Sequence, residues 1–234
     1  MKQSEFLKYL EEMNIILNDH QKYQLNLYYE LLIEWYTRMN LTGIIEKKQV
    51  YLKHFYDSLT ICKAMDLSKK LTLCDVGTGA GFPGMVLKIV FPNLQIVLID
   101  SLQKRLTFLE HVIEKLQLQN IKLVHARAEE YAKCHREEFD VVTARAVAPL
   151  NILLEYCIPI VKNNGYFIPL KANTIDELEK SNNAMKLLQV KLENIIQFSL
   201  PIENSQRTIL VIKKLNFTSK KFPRKYNEIK KNPL

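Results

Sequence analysis

The chain has 234 residues, 47% of them hydrophobic, and a formal net charge of +8. That is enough to bury one α/β core with an extension, and no apolar run reaches the roughly 20 residues a membrane-spanning helix needs. Met1-Lys-Gln-Ser-Glu5 is not followed by an apolar secretion segment, and Cys62, Cys74, Cys134 and Cys157 lack Cys-x-x-Cys spacing. The expected protein is therefore cytoplasmic and monomeric, with reduced thiols, no metal site and no membrane partner.

Helical spacing opens the chain. Ser4 is expected to cap one helix, and Asp19 a longer one whose Leu25, Tyr28, Leu32, Trp35 or Tyr36, and Met39 recur on one side. Asn40-Leu-Thr-Gly43 breaks the pattern, and a further helix runs through Lys53–Leu59. His54 and Asp57 share a face of it, either lining a substrate pocket or making a structural hydrogen bond. Residues 1–66 thus read as a helical N-terminal extension packed on the domain that follows, residues 67–216.

From Leu71 onward short apolar strands near 71–76, 94–99, 121–125, 139–144 and 165–170 alternate with helical stretches, which implies a mostly parallel, doubly wound sheet. Leu192–Pro201 and Arg207–Lys213 are separated only by a short turn, which implies a closing antiparallel hairpin. A basic tail, 217–234, ends the chain. From Lys213 onward eight Lys or Arg stand against Glu228 alone, a net of +7 interleaved with Phe217, Phe222 and Tyr226. That combination suits RNA, with cations for phosphate and rings for bases, though a solvated or membrane-surface tail carries the same charge.

The chemistry concentrates in Leu71-Thr-Leu-Cys-Asp-Val-Gly-Thr-Gly-Ala-Gly-Phe-Pro-Gly84. A buried strand there enters a glycine-rich turn and then a helix, an arrangement that binds an adenosyl cofactor. The next strand ends in Asp100, whose carboxylate can accept from ribose hydroxyls. Gly79-x-Gly81-x-x-Gly84 satisfies the dinucleotide fingerprint and leaves an NAD-dependent oxidoreductase as an alternative. Asp75-x-Gly77-x-Gly79-x-Gly81 instead resembles the signature of class I methyltransferases. Phe82 and Pro83 favour that second reading, because a ring and a missing N–H sit where a pyrophosphate wants open donors. A non-catalytic RNA-binding module is the third reading.

The ordered set of motifs resembles the RsmG (GidB) small-subunit rRNA methyltransferases over nearly the whole chain. It comprises Met39-Asn-Leu-Thr42, His54-x-x-Asp-Ser-Leu59, Asp75-Val-Gly-Thr-Gly-Ala-Gly-Phe-Pro-Gly84, Asp100-Ser-x-x-Lys-Arg105, Arg127-Ala-Glu129, Phe139-Asp-Val-Val-Thr-Ala-Arg-Ala-Val-Ala148, Leu170-Lys171, Arg207-Thr208 and Pro223-Arg-Lys225. Thr78, Ala172 and Phe222 depart from the family's usual residues. The resemblance implies a class I fold with a seven-stranded sheet. It also implies methyl transfer from S-adenosylmethionine to N7 of a guanine, guanine-527, in the 530 loop of 16S rRNA, in naked RNA or in the small subunit. Gly77, Phe82, Ala128, Glu129 and Arg145 fall on its cofactor positions, joined by Asp75, Gly79 and Asp100 from the glycine turn and second strand. Arg145, Lys171 and His54 are candidates for positioning the reactants, and Arg207, Arg224 and Lys225 for holding RNA. No general base is expected, since N7 carries no proton.

Overall fold

The computed structural model describes residues 1–39, 41–172 and 175–234, so Asn40, where the break after the second helix was expected, lies outside the described residues. Two helices, α1 (Gln3–Glu11) and α2 (Asp19–Tyr36), open the chain. Neither is capped as the sequence suggested. Ser4 lies inside α1, where Glu5 accepts the Lys2 N–H at 2.6 Å. Asn18, not Asp19, caps α2: its Oδ1 accepts from the Gln21 amide at 2.8 Å while Gln21 Oε1 accepts from the Asn18 N–H at 3.0 Å. Asp19 supplies first-turn negative charge instead. A continuous helical stretch follows, made of α3 (Lys47–Val50), a π-helical turn (Tyr51–Tyr56) and α4 (Asp57–Leu59).

The sheet contains β1 (Thr72–Val76), β2 (Gln95–Asp100), β3 (Ile121–His125), β4 (Phe139–Arg145), β5 (Val161–Lys171), β6 (Val190–Ser199) and β7 (Gln206–Lys214) in the order β3-β2-β1-β4-β5-β7-β6. β1 to β5 pair in parallel, whereas β7 runs antiparallel to both β5 and β6. Between the strands lie α5 (Gly84–Val90), α6 (Gln103–Leu116), α7 (Ala128–Cys134), α8 (Leu150–Cys157), α9 (Ile175–Lys180) and α10 (Asn182–Leu187), and α11 (Tyr226–Lys231) ends the chain. The strand order reverses between β1 and β4, and at such a point the carboxyl ends of the strands open a crevice. Every strand but β7 ends at that edge, and antiparallel β7 begins there.

Alternation along the strands divides the interior into two apolar clusters, one on each face of the sheet. On one face Leu73, Leu98 and Phe108 pack with Leu25, Tyr28 and Phe55, so the N-terminal helices share their core with the sheet. On the other, Cys74, Val142, Leu153 and Phe167 pack with Ile229 of α11. Polar side chains of α2 secure the first layer. Gln21 Nε2 donates to the carbonyls of Ile89 and Val90, and buried Gln24 Nε2 to that of Leu116 at 2.8 Å. These carbonyls end α5 and α6 and have no partner within their own helices.

The C-terminal segment is not a free arm. Phe222 is 3% exposed and Ile229 fully buried. Arg136 donates to the carbonyls of Phe222 and Thr218, both at 2.7 Å. Arg224 forks onto Glu155 of α8, Nε to Oε1 at 2.9 Å and Nη2 to Oε2 at 2.7 Å, and its own N–H adds a third bond at 2.8 Å. Arg224, assigned to RNA by the resemblance, is engaged here in holding the tail down; Lys225 remains exposed.

Because Glu155 has no exposed surface, removing its partner leaves an uncompensated buried charge. Arg224→Met is expected to lower stability by about 3–5 kcal/mol. Urea unfolding checks this, and in a Glu155→Leu background the cost should collapse.

Candidate active site

The glycine turn between β1 and α5 is held from beneath. Asp75, fully buried at the penultimate position of β1, accepts from Thr78 Oγ1 at 2.7 Å and from the Gly84 N–H at 2.9 Å through Oδ2. Its role is to brace the turn, so its place among the cofactor-binding residues is corrected: no surface of it reaches a ligand. Burial pushes its carboxyl up to about 6, against those two hydrogen bonds, and Oδ1 has no partner. Two of the glycines are required where they stand. Gly77 has φ +71°, and a Cβ there would meet Val147 Cγ2 at 2.6 Å; Gly81 has φ +99° and would meet Met85 and the Tyr28 hydroxyl, each at 2.5 Å. The Tyr28 hydroxyl donates to the Ala80 carbonyl, tying α2 to the turn.

Six of the turn's amides are engaged by the protein itself. Those of Gly77 and Thr78 donate to the Ile99 carbonyl, that of Gly79 to Asp100 Oδ2, those of Gly81 and Phe82 to the Thr78 carbonyl, and that of Gly84 to Asp75. A diphosphate cradle needs such donors free and convergent. This geometry disfavours the dinucleotide reading and suits a cofactor without phosphate.

Beside the turn lies a cleft of about 370 Å³ lined by Gly77, Asp100, Ala128, Glu129, Val147 and Tyr156 among others. Asp100 Oδ2 accepts the Gly79 N–H at 2.9 Å and Arg105 Nη1 at 3.2 Å, and Oδ1 the Leu102 N–H at 2.9 Å. Glu129, in the first turn of α7, is 4% exposed, and its Oε1 is buried without any hydrogen-bond partner. A buried, unpartnered carboxylate oxygen in a cleft is costly unless a ligand donor meets it.

A second pocket, about 390 Å³, is lined by Ile44, Lys53, His54, Asp57, Arg145, Ala146, Leu170, Lys171, Ala172 and Arg207. Asp57 links two cations, with Oδ2 accepting from Arg145 Nη1 at 3.0 Å and Oδ1 from Arg207 Nε at 2.9 Å. Arg145 also donates to the Lys53 carbonyl at 2.9 Å. Lys171 Nζ is fixed by Glu177 Oε2 at 2.6 Å and the Ala148 carbonyl at 2.8 Å. Two arginines on one carboxylate leave surplus positive charge beside apolar Ile44, Ala146 and Leu170. The π-helical turn brings His54 and Asp57 into this pocket, a distortion that recurs at functional sites.

His54 lies flat on Phe82, ring centroids 4.4 Å apart and planes 18° from parallel. Its Nδ1 is 3.1 Å from the Lys53 carbonyl and 3.4 Å from Arg145 Nη2, and its Nε2 is 2.8 Å from Thr42 Oγ1. The shorter Nδ1 contact is to an acceptor, which places the proton on Nδ1; Nε2 then accepts from Thr42, whose oxygen in turn accepts the Ile44 N–H at 3.1 Å. Burial and the nearby Arg145 push the imidazole down to about 3.

The structure thus gathers Gly77, Asp100, Ala128 and Glu129 at the first cleft. His54, Arg145, Lys171 and Arg207 meet at the second pocket. Arg145 and Phe82 do not line the first cleft as the cofactor assignment expected: Phe82 is 5% exposed, stacked under His54 with the Arg145 guanidinium 5.3 Å from its ring centre. Gly79 is oriented by Asp100 and has open space beside its Cα. Sequence reasoning missed Tyr156, Tyr226 and Lys230, which also line the first cleft. Tyr226 and Lys230 were absorbed into the charge of the tail, and only their spacing of one helical turn signalled a shared face. One short segment separates the two cavities, since Arg145 and Ala146 face one and Val147 and Ala148 the other. Among the described residues no cluster of His, Cys, Asp or Glu could hold a metal, and no helix is long and apolar enough to cross a membrane.

Residues 21–209 match the GidB family, described as rRNA small subunit methyltransferase G. The chain belongs to that family. It is similar to the ribosomal RNA small subunit methyltransferase G of Bacillus velezensis and that of Bacillus subtilis, each 50% identical over 233 residues covering 98% of both chains. The Lysinibacillus sphaericus protein of the same description is 46% identical over 237 residues and the whole of both chains. Among solved structures, a SAM-dependent methyltransferase from Aquifex aeolicus superposes with a TM-score of 0.54 at 16% identity, covering 73% of this chain and 94% of that one. TrmN from Thermus thermophilus gives a TM-score of 0.54 at 15% identity, covering 68% and 48%. These likenesses place the GidB-family chain in the class I methyltransferase fold.

The neutral His54 carries a pH signature. Between about pH 6.5 and 3 the unfolded chain holds a proton on this histidine that the folded chain does not, so acid costs up to about 1.4 kcal/mol of stability per pH unit through His54. Asp75 acts in the opposite sense below about pH 6, because its raised carboxyl takes up a proton when folded while the unfolded chain stays ionised. Comparison with His54→Gln isolates the histidine. In urea titrations the wild type's advantage over this variant should shrink as the medium goes from about pH 7 to about pH 5; a constant advantage would mean that His54 is solvated, and a growing one that it is charged.

Proposed function

We propose that the chain transfers the methyl group of S-adenosylmethionine to N7 of a guanine in small-subunit rRNA, with guanine-527 in the 530 loop of 16S rRNA as the position its family resemblance indicates. The cofactor, when bound, supplies an electrophilic methyl on a sulfonium sulfur. The first cleft suits its adenosyl half. Glu129 Oε1 offers an acceptor to the amino edge of an adenine. Asp100 closes β2 with three donors already placed and room on its carboxylate for a ribose hydroxyl. Arg145 and Phe82 stand beyond the dividing segment, where the methionyl end would approach the second pocket.

That second pocket suits the RNA nucleotide. The cations sharing Asp57 favour a phosphate, and Ile44, Ala146 and Leu170 give an apolar seat for a flat base. The observation that carries the choice of N7 is that the bases of the described pocket residues are already engaged, Asp57 by two cations. His54 Nε2 accepts from Thr42, and both Asp57 oxygens are held by arginine. An exocyclic amine or a ribose hydroxyl must lose a proton on methylation, whereas N7 attacks with a lone pair and loses none. Arg145, Lys171 and His54 then act by fixing the nucleotide in line with the methyl, and such alignment supplies much of the acceleration.

Undermethylated small subunits incubated with labelled cofactor should yield N7-methylguanosine, recognised by reductive cleavage of the chain at that nucleotide. The single-turnover rate should be nearly flat from about pH 6.5 to 9. Glu129→Gln should weaken cofactor binding about tenfold, the worth of one hydrogen bond to a charged group. A rising base-limited limb, or label on an exocyclic nitrogen or ribose oxygen, would contradict the mechanism.

A further inference from the structure

The C-terminal segment carries eight basic residues from Lys213 onward and has the look of an RNA arm. Its placement says otherwise. Arg224 on Glu155, Arg136 on the carbonyls of Thr218 and Phe222, and buried Phe222 and Ile229 seat residues 218–231 against α8. Once seated, α11 turns Tyr226 and Lys230, one helical turn apart, toward the cleft that holds Asp100 and Glu129. Tyr226 is braced there. The Arg127 guanidinium lies 4.5 Å from its ring centre and Lys230 Nζ 5.2 Å from it. Arg127 immediately precedes Ala128 and Glu129, so the brace joins the tail to the residues at the cleft floor. Tyr156, from the helix that Arg224 grips, lines the same cleft.

We propose that the C-terminal segment is a wall of the cofactor site, with Tyr226 and Lys230 closing over the adenosyl half of S-adenosylmethionine. This rests on the cofactor reading above and adds the residues that complete it. A ligand touching both the seated tail and the floor around Glu129 binds the seated state more tightly than a state with the tail lifted. By linkage the cofactor then stabilises tail docking by the factor with which docking strengthens cofactor binding. Pairing of its cations explains how so basic a segment is tolerated beside a sulfonium. Arg224 is neutralised by Glu155 and Glu228, while Lys230 and Arg127 face the Tyr226 ring, whose phenol they hold below its usual range.

The full-length chain tests this with S-adenosylhomocysteine as the probe. Calorimetry should show Tyr226→Ala weakening binding about tenfold or more, and Arg224→Gln, which loosens the seat without touching the cleft, weakening it in the same direction. In the wild type, which needs no variant to fold, amide exchange at residues 226–231 should slow when the probe saturates the protein. Wild type that binds the probe with unchanged exchange in the tail, together with unaltered affinity in Tyr226→Ala, would overturn the proposal. Wild type that binds no probe at all would sink the cofactor reading, and the proposal with it.

Discussion

The site depends on one close approach, that of Val147 to Gly77. β4 ends at Arg145, Ala146 takes a left-handed φ of +56°, and Val147 is pressed so near the glycine turn that a Cβ on Gly77 would lie 2.6 Å from its methyl. That contact makes the segment after β4 a partition. On one side it closes the cleft with Glu129, and on the other it forms the base of the pocket with Asp57, Arg145 and Arg207. A methyl transferase must keep two ligands apart everywhere except at the reacting atoms. A partition one residue thick, built from alanine and valine, meets that requirement without placing a side chain across the path.

Charge is arranged differently on the two sides. The cleft side has buried carboxylates, with one oxygen of Glu129 unmatched. The pocket side has two arginines sharing Asp57 and a lysine locked to Glu177. Acidic groups thus line the cleft proposed for the cationic cofactor, and surplus cations the pocket proposed for the polyanion. The same pairing that makes the pocket attractive to phosphate also silences its bases. Asp57 and His54 are both held in hydrogen bonds, and low local dielectric keeps His54 neutral well below physiological pH.

What could be read in the sequence was whatever local spacing and strand ends dictate. The glycine turn, Asp100 at the end of β2, and Ala128 and Glu129 just past β3 follow from the rule that an open α/β sheet binds ligands at its carboxyl edge, and the final hairpin follows from the short turn between its two strands. The helix caps were misplaced by one or two residues, because Asn18 and Asp19 are both good caps and only the reciprocal bond with Gln21 selects between them. Pairings across long separations were not legible. Arg224 meets Glu155 across 69 positions and Arg207 meets Asp57 across 150, so neither the charge count of the tail nor the resemblance showed these ion pairs. The basic tail was read by composition for that reason, and Tyr226 with it. Asp75 was read as a ligand because the motif begins with it; burial makes it the brace of the turn.

The central claim is that the partition separates cofactor from RNA, and Arg207→Gln addresses it directly, since Asp57 keeps Arg145 as a partner when Arg207 is lost. The measurement is the affinity of this variant for S-adenosylhomocysteine and for undermethylated small subunits, each compared with the wild type. The account predicts an unchanged cofactor affinity and RNA binding weakened about tenfold with a shallower salt dependence. Loss of cofactor affinity with RNA binding intact would show that the arginine pocket belongs to the cofactor, and would contradict the division of the site.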